Sequence, residues 1–231
     1  MGEAQRREKV KTIITGPFGS GKSEIALQLA LNAARDGQKA ALVDMDIVNP
    51  YFTSGQHKAL LEASGVAVAQ PSYGGSGIDL PSLSGDIRRW LTDEKSSVFV
   101  DMGGDPIGAT ALGSLSGLIK DYQMLFVYNP LRPMVARPEA AWDMLREIET
   151  RARLKITGLI YNANLAAGSS GQELADSQPQ MLALVQLSGL PVIYHCGGSE
   201  ALAAYRPEGL FGQGLLLELR NHPAWLRPEM L

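Results

Sequence analysis

Residues Gly16-Pro17-Phe18-Gly19-Ser20-Gly21-Lys22-Ser23 form a complete G-x-x-x-x-G-K-[ST] run between an apolar stretch, Val10 to Thr15, and a helical pattern over Lys22–Asp36. This arrangement narrows the possible folds to very few. A strand must deliver the loop and a helix must leave it, so that successive backbone N–H groups and the positive helix end meet at one point, where phosphate binds. Gly16, Gly19 and Gly21 admit backbone angles and close approaches that a Cβ obstructs. With Pro17, Phe18 and Ser20 they make the cradle. Lys22 is placed to reach β- and γ-phosphates, and the Ser23 hydroxyl to ligate Mg²⁺.

Strand and helix patterns alternate along the rest of the chain, which predicts a mostly parallel α/β sheet covered on both faces, in a three-layer arrangement. Strands are expected at Lys11–Thr15, Ala40–Val43, Val66–Ala69, Ser97–Val100, Met124–Tyr128, Ile156–Tyr161 and Val192–His195. Helices are expected at Lys22–Asp36, Asp86–Thr92, Pro138–Leu154 and Gln172–Leu187. In Pro138–Leu154 the residues Ala141, Leu145, Ile148 and Ala152 make one apolar stripe. The Gly/Ser-rich stretch between Pro71 and Pro81 reads as an irregular loop, and the tail from Leu215 to Leu231 as partly helical with little other structure. Length and the lack of a dividing linker argue for one domain over residues 1–231, with a core at about 10–200 and a C-terminal extension at 201–231.

Two strands end in acids. Asp44 and Asp46 follow Ala41-Leu42-Val43, and Asp101 and Asp105 follow Phe99-Val100. Ligands of open α/β sheets bind at that strand edge. The apolar run before Asp101 is a Walker-B pattern, whose Asp holds Mg²⁺ directly or through water. Asp46 and Asp105 are candidates to orient an attacking water, Asp46 the stronger, whereas Asp44 suits a structural role equally well. Gly103 and Gly104 give the segment after Asp101 freedom to respond to a γ-phosphate.

These blocks resemble the SIMIBI class of P-loop NTPases, in the CobQ/CobB/MinD/ParA and nitrogenase-iron-protein branch. Gly16–Ser23, Asp44–Asp46 continuing into Ile47-Val48-Asn49-Pro50-Tyr51-Phe52, and Asp101-Met102-Gly103-Gly104-Asp105-Pro106-Ile107-Gly108 carry the likeness, which by element order covers roughly residues 10–200. The resemblance implies a seven- or eight-stranded sheet and a Mg²⁺-dependent ATPase used as a conformational switch, as a homodimer. It implies Asp101 at the metal, Asp46 near the water, and Asn162 after a late strand as the residue touching the base of ATP. An ATP-dependent metabolic enzyme on the same fold, with a substrate pocket at the Gly74–Asp79 loop, is the alternative. Tyr51 and Phe52 are candidates to meet a protein client.

The chain departs from that family in two places. Where the MinD/ParA subset carries a second loop lysine, this chain has Pro17, so slow intrinsic turnover is expected unless Arg132 or Arg137, just beyond a strand end, substitutes. The single Cys196 excludes an iron–sulfur cluster, because a [4Fe–4S] centre takes about four thiolates and a homodimer offers two. One cysteine and no apolar leader fit a cytoplasmic protein. A net charge of −3 gives no nucleic-acid face, and no apolar run approaches the ~20 residues of a membrane span. His57, His195 and His222 are scattered, without zinc spacing.

Overall fold

The computed structural model describes residues 10–46, 57–71, 85–164, 170–207 and 212–218. The Asn49–Phe52 and Gly74–Asp79 segments singled out above lie outside the described residues.

Eight parallel strands form one sheet in the order β3-β2-β4-β1-β5-β6-β7-β8. They are β1 (Lys11–Thr15), β2 (Ala40–Met45), β3 (Val66–Ala69), β4 (Ser97–Met102), β5 (Tyr122–Tyr128), β6 (Gly158–Tyr161), β7 (Val192–Gly197) and β8 (Gln213–Leu216). The helices are α1 (Lys22–Arg35), α2 (Lys58–Ala63), α3 (Gly85–Thr92), α4 (Pro106–Leu115), α5 (Pro138–Ala152), α6 (Gly171–Ser188) and α7 (Ser199–Ala204).

Strand side chains alternate between two apolar layers. Ile13, Val43, Phe126 and Leu159 pack with α3 to α7, through residues such as Leu91, Leu112, Leu145 and Leu184. Ile14, Leu42, Val127 and Ile160 pack with α1 and α2, through Ile25, Leu29 and Leu61. A sheet apolar on both faces must be covered on both, which explains the continuous hydrophobic runs of the central strands. The stripe Ala141, Leu145, Ile148 and Ala152 is the buried face of α5.

Two expectations change. The start of the tail contributes a strand, β8, which pairs with β7 in the register Tyr194↔Gln213 to Gly197↔Leu216, while residues 219–231, where helix was expected, lie outside the described residues. The sheet therefore runs past residue 200, and Leu215 and Leu217 close the α1 layer. Helices α2, α4 and α7, which the sequence patterns do not announce, connect the strands. Among the described residues no helix is long and apolar enough to cross a membrane.

Strands β2, β3 and β4 lie on one side of β1, and β5 to β8 on the other. The chain thus reverses direction across the sheet at β1, and the crevice beyond its C-terminal end is where an α/β sheet offers a ligand site. The loop at 16–23 occupies that crevice.

Candidate functional site

The loop closes on itself by local bonds. The Ser20 N–H donates to the Pro17 carbonyl at 3.1 Å, and the Ile25 N–H to Gly21 at 3.0 Å. Gly21 sits at the N-cap of α1 with φ 96°, and no side chain caps that helix. Asp105 caps α4 and Ser170 caps α6, whereas α2, α5 and α7 also begin without a side-chain cap, so it is the glycine loop before α1 that sets its start apart. The first N–H groups of α1 are therefore left without a side-chain acceptor, in the arrangement that receives an anion.

Only glycine fits at Gly21. Besides its left-handed backbone, a Cβ there would collide with the side-chain nitrogen of Asn162. That amide donates to the Ser20 carbonyl at 2.7 Å, so β6 holds the loop from beneath. Asn162 is buried, and its Oδ1 has no hydrogen-bond partner. Thr15 Oγ1, Ser20 Oγ and Arg132 Nε, all in or against the same loop, are likewise buried without partners. Buried polar atoms are normally satisfied, and a cluster of unsatisfied ones marks a place shaped for something else.

Lys22 is almost fully buried, and its Nζ donates to the Pro17 carbonyl at 3.1 Å. Burial lowers the pKa of this ammonium group, while Asp101, Asp46 and Asp105 oppose the shift. Lysine and three acids thus face one point, brought there by α1, β2 and β4.

Asp101, next to last in β4, lies in register with Asp44 of β2 and Ile14 of β1. Its carboxyl group is pushed up to about 7, first by burial and then by Asp44, against a hydrogen bond from the Ser23 hydroxyl and the charge of Lys22. A hydroxyl and a carboxylate in contact are the hard oxygen donors that suit Mg²⁺. Crowded buried acids also favour a cation that offsets their repulsion. Ser23 and Asp101 therefore fit the metal.

The other acids have local duties. Asp44 accepts from the Asp46 N–H at 3.0 Å, turning the chain as β2 ends. Asp105 Oδ1 accepts from the N–H groups of Ile107 at 2.8 Å and Gly108 at 3.0 Å, which fixes the start of α4. Between Asp101 and Asp105 the backbone presses on the phosphate loop: a Cβ on Gly104 would overlap the Gly16 carbonyl. A displaced loop must therefore move the segment leading into α4.

A cavity of about 390 Å³ opens from this point, lined by Lys22, Asp46 and Asp105 and also by the charged pair Glu147 and Arg151 of α5. Phe18, Ala109, Met134, Met144 and Ile148 form its apolar walls. Phe18 is 65% exposed and Met134 66%. Sequence patterns do not reveal this wall, because it joins a loop residue to one flank of α5.

Arg132 and Arg137 part company. Arg137 is exposed at the N-cap of α5, whereas Arg132 packs against Gly19 of the loop.

No protein-family model and no curated protein sequence matches the chain. Solved structures do. FtsY from Mycoplasma mycoides superposes with a TM-score of 0.57 at 14% identity, over 85% of this chain and 62% of that one. The cell division protein FtsY from Thermotoga maritima gives 0.52 at 19% identity, over 88% and 66%. The signal recognition particle receptor FtsY from Elizabethkingia anophelis gives 0.55 at 16%, over 88% and 64%. The chain spans less than two thirds of each of these proteins. At these identities the likeness is one of fold. What is shared is a mostly parallel eight-stranded sheet with helices on both sides, and nothing in it is specific to the MinD/ParA branch.

Proposed function

We propose that this protein is a Mg²⁺-dependent ATPase in which nucleotide state sets the conformation of the segment after β4. The observation that carries the reading is the uncapped start of α1, where Lys22 and the Ser23–Asp101 contact converge. The loop amides and Lys22 hold the phosphates, and Ser23 and Asp101 hold Mg²⁺, which when bound supplies charge to the phosphate oxygens. Asp46, in the same field as Lys22, orients the attacking water. Asp105 sets the start of α4 and works on the chemistry only through that position. Asn162 steadies the loop through Ser20, and its unpartnered Oδ1 leaves an acceptor for the base.

Hydrolysis of this kind rests on positioning and charge stabilisation. Release of the γ-phosphate passes to α4 through the contact of Gly104 with the Gly16 carbonyl. Phe18, Ile107 and Met134, exposed at 65%, 58% and 66%, stand at the same edge, which supports a homodimer meeting there. A cytoplasmic location belongs to the same proposal.

Calorimetric titration with ATP and GTP, each with and without Mg²⁺, tests the reading. We expect Mg²⁺-dependent ATP binding, weakened roughly 10- to 100-fold by Lys22→Ala through loss of a charge-assisted contact. Binding of neither triphosphate would end the proposal, and binding of GTP alone would end its ATP part.

The cavity of about 390 Å³ favours a second reading, an ATP-dependent small-molecule kinase, ligase or amidase-type enzyme whose acceptor lies between Phe18 and α5. Transfer of phosphate to a small acceptor, or formation of a ligation product, would favour it over hydrolysis to ADP and phosphate.

A further inference from the structure

We propose that Arg132 is a second phosphate-binding cation of the loop, supplied by the same chain and directed at the terminal phosphate. This rests on the nucleotide reading above.

Strand pairing places the residue. Thr15, the last residue of β1, lies opposite Phe126 of β5, so the chain leaving β5 after Tyr128 rises beside the phosphate loop. Asn129 then fixes its course. Its side-chain amide donates to the Asn164 carbonyl at 2.8 Å, and its Oδ1 accepts from the Leu131 N–H at 3.1 Å. The Arg132 N–H donates to the Asn129 carbonyl at 3.1 Å, and a 3₁₀ turn, Pro133–Val135, follows at once. The backbone of Arg132 is held on both sides, and its side chain lies against the loop.

The guanidinium group covers Gly19. A Cβ on that glycine would stand 3.5 Å from the guanidinium carbon and from Nε. Nε is buried and has no hydrogen-bond partner. No carboxylate forms a salt bridge with Arg132 among the described residues. Asp46, Asp101 and Asp105 are the acids that act on Lys22. Leaving a buried donor of a charged group unsatisfied is costly, and a phosphate on the loop would satisfy donor and charge together. The planar guanidinium fork suits two phosphate oxygens at once.

Its neighbours indicate which phosphate it meets. Phe18, beside Gly19, and Met134, two residues after Arg132, both line the cavity that Lys22, Asp46 and Asp105 also line. Arg132 therefore stands at the γ-phosphate end. It also answers the departure at Pro17: the charge that a loop lysine would carry comes from the turn after β5.

Binding of a nonhydrolysable ATP analogue and of ADP, each with Mg²⁺, tests the proposal in the wild type, R132A and R132K, with thermal melts as a check on folding. We expect R132A to weaken the ATP analogue about 10- to 100-fold and ADP much less, with R132K between. Added guanidinium ion should restore part of the turnover of R132A and none of that of K22A. Equal weakening of both nucleotides without rescue would reduce Arg132 to a prop for the loop and overturn the proposal, as would unchanged binding by R132A. Should R132A fail to fold, the analogue-to-ADP ratio of R132K decides alone, and an unchanged ratio overturns it. A wild type that binds no triphosphate overturns the nucleotide reading itself, whereas wild-type binding with an unaffected arginine variant overturns only this inference.

Discussion

The site places a carboxylate where water would never choose to leave one. Asp101 is fully buried beside Asp44, and its carboxyl is pushed up to about 7. Because the folded value lies above the unfolded one, ionising Asp101 costs stability as pH rises from the unfolded value near 3.9, and the full cost is present above about 7. Asp101→Asn removes that cost. The ligand-free variant should therefore melt higher than the wild type at pH 8, with the gap closing toward pH 4. The same variant should lose Mg²⁺-dependent ATP binding. Paired melts and titrations check both halves, and a variant that melts lower at pH 8 while still binding Mg²⁺-ATP would remove Asp101 from the metal site. A residue that makes the empty protein less stable and the loaded one possible is the trade expected of a working site.

At the scale of elements, α4 decides how far a change at the phosphate reaches. It begins at Asp105, whose Oδ1 takes two backbone N–H groups, with Pro106 in the first turn. Asp105→Ala should cost about 0.5–2 kcal/mol, as loss of an N-cap does, and lower Tm by a few degrees at this chain length. Asn caps as well as Asp. Asp105→Asn should therefore keep wild-type Tm and turnover, and a turnover loss at unchanged Tm would make Asp105 the water-orienting acid. Helix α4 was not legible, because Gly108, Gly113 and the uncharged run between them hide its helical period. Helices α2 and α7 span only six residues each, too few for a periodic signal. Strand β8, Gln-Gly-Leu-Leu, has no alternation of its own and is defined by pairing with β7. Strands β1 to β7 were legible because a parallel sheet buried on both faces writes itself as short apolar runs. The phosphate loop and its acids were legible for a similar reason, since their chemistry lies in short contiguous motifs. Arg132 over Gly19 and Asn162 beneath Ser20 depend on β5 and then β6 following β1 across the sheet, and no local pattern carries that order.

For the whole molecule, the outer half of the sheet governs how the fold answers acid. His195 of β7 is buried, its ring set edge-on to Tyr205 at 5.5 Å between centroids. Its Nδ1 has no partner, and burial lowers its pKa despite a hydrogen bond to the Gly212 backbone just before β8. A protonated ring here would put a charge between α7 and the β7–β8 pair. The sign follows from linkage: the unfolded chain takes up the proton near pH 6.5 while the folded one resists. The stabilising contribution is thus complete above about 6.5 and is lost as pH falls below it. Asp101 acts in the opposite sense over part of the same range, so the His195 contribution is read as a difference. Denaturant midpoints from pH 7.5 to 5 should fall further in the wild type than in His195→Gln. Hydrogen exchange should show protection lost first in β8, the edge strand on the His195 side of the sheet. Parallel curves for the two proteins would mean that His195 protonates without disturbing the edge, and would leave the acid response to the carboxylates around the phosphate loop.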